Sequence, residues 1–203
     1  MELWQEPDDG ELRDPSGQPD RRDEWLMGQM AAGRRDLMGP LVRRHGSPLL
    51  SFIRRMVADP HRSEELFQEV FLAVWAKRDQ YRAASPFKPW LYAIAVNKCR
   101  EAFRAKGLGR VLRLPEDPDG MATAATGGAG PADVAIATET AALVEAAVAT
   151  LPPKQREVIL LRVWGGLPYA EIAQSLGVRE ATVRSNMHDA LAAVRRYLEP
   201  RMR

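Results

Sequence analysis

The stretch Gly166-Leu167-Pro168-Tyr169-Ala170-Glu171-Ile172-Ala173-Gln174-Ser175-Leu176-Gly177-Val178, followed by Thr182-Val183-Arg184-Ser185, decides the fold of this chain. Its spacing predicts a short helix from Pro168 to Leu176, a turn at Gly177, and a longer helix from about Ala181 to Leu198. Ile172 and Leu176 are expected to face a core, while small Ala173 permits close helix approach. Gly177 supplies the left-handed backbone that the turn needs. This is the helix-turn-helix arrangement, whose second helix enters the major groove of DNA. Val178, Val183, Met187, Leu191, Val194 and Leu198 form the expected buried stripe of that helix. Arg184, Ser185, His188 and Asp189 are left pointing outward, where base edges and phosphates would lie.

Upstream, Glu139 to Thr150 is alanine-rich and predicted helical, and Leu151-Pro152-Pro153 breaks it before a helix carrying Val158, Leu161 and Trp164. Between Leu114 and about Asp133, proline and glycine among small residues have the composition of a linker. Before the linker, Leu37, Leu41, Leu49, Phe52 or Ile53, and Met56 recur at helical spacing up to Asp59-Pro60. Ser63 is the expected N-cap of the next helix, whose inner face is Leu66, Val70, Ala73 and Val74. A long helix is expected from about Pro86–Pro89 to Lys106. Nothing alternates with period two. The expected class is all-α: two small helical domains joined by a flexible linker, the second a helix-turn-helix (winged-helix-like) DNA-binding domain. Boundaries fall at 1–24 for an acidic extension expected to be disordered or loosely packed, 25–113 for the first domain, 114–138 for the linker and 139–203 for the second domain.

The net charge of +2 conceals a strong division along the chain. Residues 1–24 carry 3 basic and 9 acidic side chains, and residues 115–150 carry none and 6. By contrast, residues 25–114 carry 17 basic and 7 acidic side chains, and residues 151–203 carry 9 and 5. Two basic blocks around an acidic spacer point to two surfaces facing a polyanion. Other classes fit poorly. The single cysteine, Cys99, allows no internal disulfide, and with only His45, His61 and His188 no zinc-type ligand cluster is expected. No apolar run approaches the roughly 20 residues of a membrane span, and the first residues lack signal-peptide character, so membrane insertion is not expected and a cytoplasmic location is. No paired carboxylates or nucleophile-base set suggests an enzyme, and no cofactor is implied.

The stretch Leu151-Pro152, Arg156, Gly166 to Ala173, Leu176-Gly177-Val178 and Thr182 to Ser185 resembles the segment of extracytoplasmic-function sigma factors that binds the minus-thirty-five promoter element. That resemblance assigns Thr182, Arg184, Ser185, His188 and Asp189 to the element. Asn186 and Asp189 stand where the family usually has basic residues. Glu64-Glu65-Leu66-Phe67-Gln68-Glu69-Val70-Phe71 resembles the sigma segment that docks on the beta-prime clamp helices of RNA polymerase, which makes Glu65, Gln68 and Glu69 the contacts. They share one helix face and offer acceptors to a basic partner. Phe87-Lys88-Pro89-Trp90-Leu91-Tyr92-Ala93-Ile94-Ala95-Val96-Asn97 resembles the family helix that reads and opens the minus-ten element. Trp90, Ile94 and Asn97 are expected to hold an unstacked base, with Tyr81 closing the pocket by resemblance. Lys88, Lys98, Arg100, Arg104, Lys106 and Arg110 would hold the strand backbone. The implied function is a sigma factor of the sigma-70 family that directs core RNA polymerase to promoters. Its implied partners are core polymerase, through the beta-prime clamp helices and the beta flap, promoter DNA, and an anti-sigma factor. The alternative is a stand-alone helix-turn-helix transcriptional regulator.

Overall fold

The computed structural model describes residues 21–82, 84–105 and 131–201, with side chains from residue 23 and, in the second half, from residue 140. The acidic stretch before residue 21, most of the expected linker, and Lys106 and Arg110 lie outside the described residues.

Eight α-helices occur among the described residues, and no strand. They are α1 (Arg21–Ala31), α2 (Met38–Val57), α3 (Pro60–Ala76), α4 (Phe87–Ala105), α5 (Pro131–Ala149), α6 (Pro153–Val163), α7 (Tyr169–Leu176) and α8 (Glu180–Leu198). Single 3-10 turns precede α2 and follow α3. The first four helices form one bundle, with α2, α3 and α4 packed mutually and α1 laid against α2. In the second, α8 packs on α5, α6 and α7. The two bundles touch, through α4 with α7 and α2 with α5 and α6, so their buried side chains form one continuous apolar cluster.

The local chemistry departs from the sequence expectation in four places. Arg21 to Glu24 are helical rather than part of an extension. Asp23 is buried and paired with Arg44 and, at 2.7 Å, with His45 Nε2, both on α2. Second, α3 is capped by Asp59, whose carboxylate accepts from the Arg62 amide at 3.0 Å, with Pro60 as its first residue. Asp-Pro is the stronger start signal because the carboxylate caps and the proline needs no amide partner. Ser63 lies inside the helix, fully buried, its hydroxyl donating to the Asp59 carbonyl at 2.6 Å. Third, α5 begins at Pro131 rather than Glu139. A proline suits a first turn, and the alanines behind it favour helix. Fourth, Val178 and Leu191 are 42% and 51% exposed, and the stripe of α8 runs instead through Val183, Met187 and Ala190. Three- and four-residue steps from Met187 reach either position, and the small alanine suits the close approach of α8 to its neighbours.

The remaining stops and starts follow the sequence. Gly177 takes the left-handed backbone at φ 66 that ends α7. Gly165 admits no side chain, since a Cβ there would stand 2.5 Å from the Leu161 carbonyl oxygen. Buried Arg156 donates to the carbonyls of Val148, Ala149 and Leu151, closing the C-terminal end of α5, and burial pushes its guanidinium down to about 10. Cys99 is fully buried in α4, and burial, with a smaller effect of the Glu157 charge, pushes its thiol up to about 12.

The capping assignment predicts a contrast between two neighbours. Asp59→Ala should lower stability by about 1 kcal/mol, the usual worth of an N-cap. Ser63→Ala, which removes only a back-bond to a carbonyl already used by the helix, should cost clearly less. Urea denaturation of the two variants measures this, and a larger loss for Ser63→Ala would contradict the cap.

Candidate nucleic-acid interface

Of the described residues expected at the minus-ten element, all but Tyr81 lie on α4, and α4 is anchored from a distance. The amide of Phe87, its first residue, donates to Glu24 Oε1 of α1 at 2.7 Å. A carboxylate at this end satisfies an otherwise orphaned donor and opposes the positive pole of the helix dipole. The other oxygen, Glu24 Oε2, is buried and accepts no hydrogen bond among the described residues.

Above this anchor stand three rings. The Tyr81 centroid lies 5.1 Å from Trp90 and 6.1 Å from Phe87, and Phe87 and Trp90 are 6.0 Å apart. The Tyr81 hydroxyl donates to the Ser85 carbonyl, which pins the loop before α4. Burial, with the nearby carboxylates of Glu24 and Asp23, holds the phenol neutral far above the usual tyrosine range. Phe87 is buried, whereas Tyr81 and Trp90 are half-buried and offer aromatic surface. Asn97 is exposed on the same side of α4. Ile94 lies between them but is 7% exposed, so it backs this surface rather than standing open to a ligand. A leucine-sized side chain at that helical position is drawn into the core beside Leu91 and Ala95.

The basic residues of α4 divide. Arg104 is exposed and Lys88 half-buried. Lys98 Nζ lies 3.3 Å from Glu69 on α3 and 3.5 Å from Glu101. Arg100 is bound bidentately by Glu157 of α6, at 2.8 and 2.7 Å.

The acidic face of α3 adjoins this network. Arg62 reaches Glu65 at 2.8 Å and Glu69 at 3.0 Å, so the two carboxylates are brought together by a shared cation and Glu69 is shared again with Lys98. Gln68 is exposed beside them. Next to Gln68, a cavity of about 480 Å³ is lined by Met38, Val42, Phe67, Phe71, Leu72 and Trp75 with Arg35 at its margin, and Leu72 is among the exposed large apolar residues.

On α8, Thr182, Arg184, Ser185, His188 and Asp189 are all exposed. Arg184 is oriented by Glu180, 2.5 Å away, and by the Tyr169 ring, whose centroid lies 4.9 Å from its guanidinium. Asn186 turns its amide back to the Thr182 carbonyl at 2.9 Å. Asp189 makes no ion pair among the described residues, so the neighbouring arginine does not neutralise it. The two sets expected at DNA are not merged into one surface, because α7 packs on both α4 and α8. Among the described residues no group of three or more His, Cys, Asp or Glu side chains could hold a metal ion, and no helix is long and apolar enough to cross a membrane.

Sequence reading missed Glu24, Arg62 and Glu157. Glu24 carried a usable signal, an acidic pair directly before the apolar run Trp25-Leu26-Met27, the pattern of a first helical turn. Glu157 carried none, since its partner is 57 residues away on another helix.

Known proteins match in the same two segments. Residues 41–108 match the family described as Sigma-70 region 2, and residues 141–194 that described as Sigma-70, region 4. The chain is 32% identical over 188 residues to the ECF RNA polymerase sigma factor SigK of Mycobacterium ulcerans, covering 91% of this chain and 98% of that one. It is also 32% identical over 158 residues to the ECF RNA polymerase sigma factor SigE of Mycolicibacterium smegmatis, where it covers 78% of this chain but spans only 60% of that protein. Among solved structures, CnrH in complex with the cytosolic domain of CnrY superposes with a TM-score of 0.67 at 26% identity, covering 88% of this chain and 97% of that one.

The Glu24 anchor yields a graded expectation. Glu24→Ala should destabilise the chain by about 1–2 kcal/mol, because the Phe87 amide loses its acceptor in a half-buried place. Glu24→Gln keeps an acceptor oxygen and should recover part of that loss. Urea unfolding of both measures it, and equal stability of the alanine variant and the parent would remove Glu24 from the account.

Proposed function

We infer the function from membership: the chain belongs to the extracytoplasmic-function branch of the sigma-70 family. It binds core RNA polymerase and directs promoter-specific initiation by recognising the minus-ten and minus-thirty-five elements. It lends specificity and catalyses no reaction of its own, and it acts where the polymerase is, in the cytoplasm. The observation that carries this reading is the pairing of both sigma segments in one chain, since a stand-alone helix-turn-helix regulator has no use for the first.

Roles follow the geometry. Tyr81 and Trp90 provide aromatic faces for an unstacked base, Asn97 reads its edge, and Ile94 supports them from below. Lys88, Lys98, Arg100 and Arg104 hold phosphates. Glu65, Gln68 and Glu69, kept in place by Arg62, meet the basic clamp helix of beta-prime. Thr182, Arg184, Ser185, His188 and Asp189 meet the minus-thirty-five element, while the second domain engages the beta flap. CnrH was solved bound to the cytosolic domain of CnrY, and an anti-sigma factor is the corresponding partner here.

Run-off transcription with purified core polymerase tests the whole reading, and no gain in promoter-specific product would overturn it. Within it, Asn97→Ala should slow strand opening by roughly tenfold, the worth of one base contact, while leaving core affinity unchanged. Permanganate footprinting and native gels separate the two effects, and equal loss in both would make Asn97 merely structural. Reversing Glu65 and Glu69 to lysine should do the opposite, weakening core binding by about tenfold or more. Unchanged core affinity would sink the docking assignment.

Asp189 is exposed and makes no ion pair among the described residues, so it repels phosphate or accepts from the amino group of cytosine. Asp189→Arg, tested against a randomised promoter library, should change the base preferred in the minus-thirty-five element. A uniform gain in affinity would instead mean a restored phosphate contact and no readout by Asp189.

A further inference from the structure

The cavity between α2 and α3 is an apolar groove with a basic margin. Phe67, Phe71 and Trp75 recur every fourth residue along one ridge of α3, and Met38 and Val42 do the same on α2, so the two ridges face each other across it. Phe67 and Phe71 meet edge to face, with centroids 5.1 Å apart. Met38, Val42, Phe67 and Trp75 are only half-buried, and Leu72 is 68% exposed. A contiguous apolar surface left this open marks a docking place. Its margin carries exposed Arg35, 5.8 Å from the Trp75 ring, and Arg78, 4.2 Å from the same ring. An occupant that fits is therefore apolar and acidic at once.

The chain carries such a segment itself, outside the described residues. Residues 1–20 hold 7 acidic side chains and 1 basic one. Within them, Met1-Glu2-Leu3-Trp4-Gln5-Glu6 sets two large apolar side chains between two carboxylates. The tether permits the encounter. Residue 20 leads directly into α1, whose Asp23 binds Arg44 and His45 of α2. Arg44 stands only about 3 Å along the α2 axis from Val42 of the groove. The roughly sixteen residues between Trp4 and α1 extend to about 55 Å, well beyond the reach required. Belonging to the same chain, the segment meets the groove at an effective concentration on the order of millimolar, so even a weak contact is populated.

We propose that residues 1–6 dock in this groove, Leu3 and Trp4 filling it and Glu2 and Glu6 meeting Arg35 and Arg78, and that they shield the polymerase-facing residues beside it. Gln68 lines the same cavity. Shielding rests on the assignment of Gln68 to the polymerase contact, whereas docking does not.

Docking is read in the full chain by paramagnetic broadening. Cys99 is fully buried, so a nitroxide reagent modifies the thiol introduced by Gln5→Cys, a substitution that leaves the charge unchanged. The methyl resonances of Val42 and Leu72 and the Trp75 indole N–H should lose most of their intensity in the labelled chain. The double substitution Leu3→Ser and Trp4→Ser in that chain should restore it. No loss in the labelled chain overturns docking. A loss that survives the double substitution means attraction by charge alone and overturns the seating of Leu3 and Trp4. Mixing nitroxide-labelled chain with isotope-labelled, nitroxide-free chain separates the occupants, because broadening in the mixture would mean that a second copy fills the groove and would overturn docking within one chain. For shielding, Leu3→Ser with Trp4→Ser should bind core polymerase about three- to tenfold more tightly on native gels, as the open form becomes the whole population. Unchanged core affinity overturns shielding. The broadening measurements contain neither polymerase nor DNA, so their failure is distinct from failure of the sigma-factor reading.

Discussion

In the function proposed above, one helix serves as core strut and as nucleic-acid surface at once, and the arrangement of the rest follows from that. Leu91, Tyr92, Ala95, Val96, Cys99 and Ala102 of α4 are all buried. Its neighbours α2, α3 and α7 surround it on most sides. What is left for a ligand is a strip holding Trp90, Asn97 and Arg104. A strip so narrow must be aimed accurately, because a small rotation of α4 would turn Asn97 toward the core. Rigid placement comes from edge-on packing of Tyr92 against Phe52, with centroids 5.2 Å apart, and from Glu24 at the first amide. The placement of that strip therefore depends on residues that are not part of it.

How much of this was legible in the sequence depended on whether the determining signal was local. The helix-turn-helix could be read because Gly177, Ile172 and Ala173 each have one conformational job, and those jobs agree only in that motif. Fold class was equally plain, since helical spacing dominates and nothing alternates. The start of α3 was misjudged because two caps competed within five residues and the deciding partner was a proline. The stripe of α8 was misjudged because hydrophobicity favoured Leu191 while the room available favoured Ala190. In both cases the correct residue is the less conspicuous one. The candidate site divides in the same way. Tyr81 and Trp90 were expected together and do meet, whereas Ile94 was expected open and is buried. The engagement of Arg100 by Glu157 belongs to tertiary packing between segments whose sequence patterns say nothing of each other.

Ion pairs in this protein serve placement more than stability. Arg62 is shared between Glu65 and Glu69, and Glu69 between Arg62 and Lys98, all at partly exposed positions where such pairs contribute little. Their value is geometric: the carboxylates assigned to the polymerase and a lysine assigned to DNA belong to one network. Arg184 is handled alike, flanked by Glu180 and the Tyr169 ring so that its guanidinium is held in one orientation.

The burial of Cys99 bears on how the protein can be informed of its surroundings. A thiol held at about 12 carries almost no thiolate at neutral pH, and only the thiolate reacts readily with peroxides or disulfides. Being the sole cysteine of the chain, it has no intramolecular partner to form a bridge with. Cysteine chemistry in this polypeptide is therefore silent toward oxidants. Any thiol-based redox cue that alters its activity has to be received by another molecule and delivered as a change in binding.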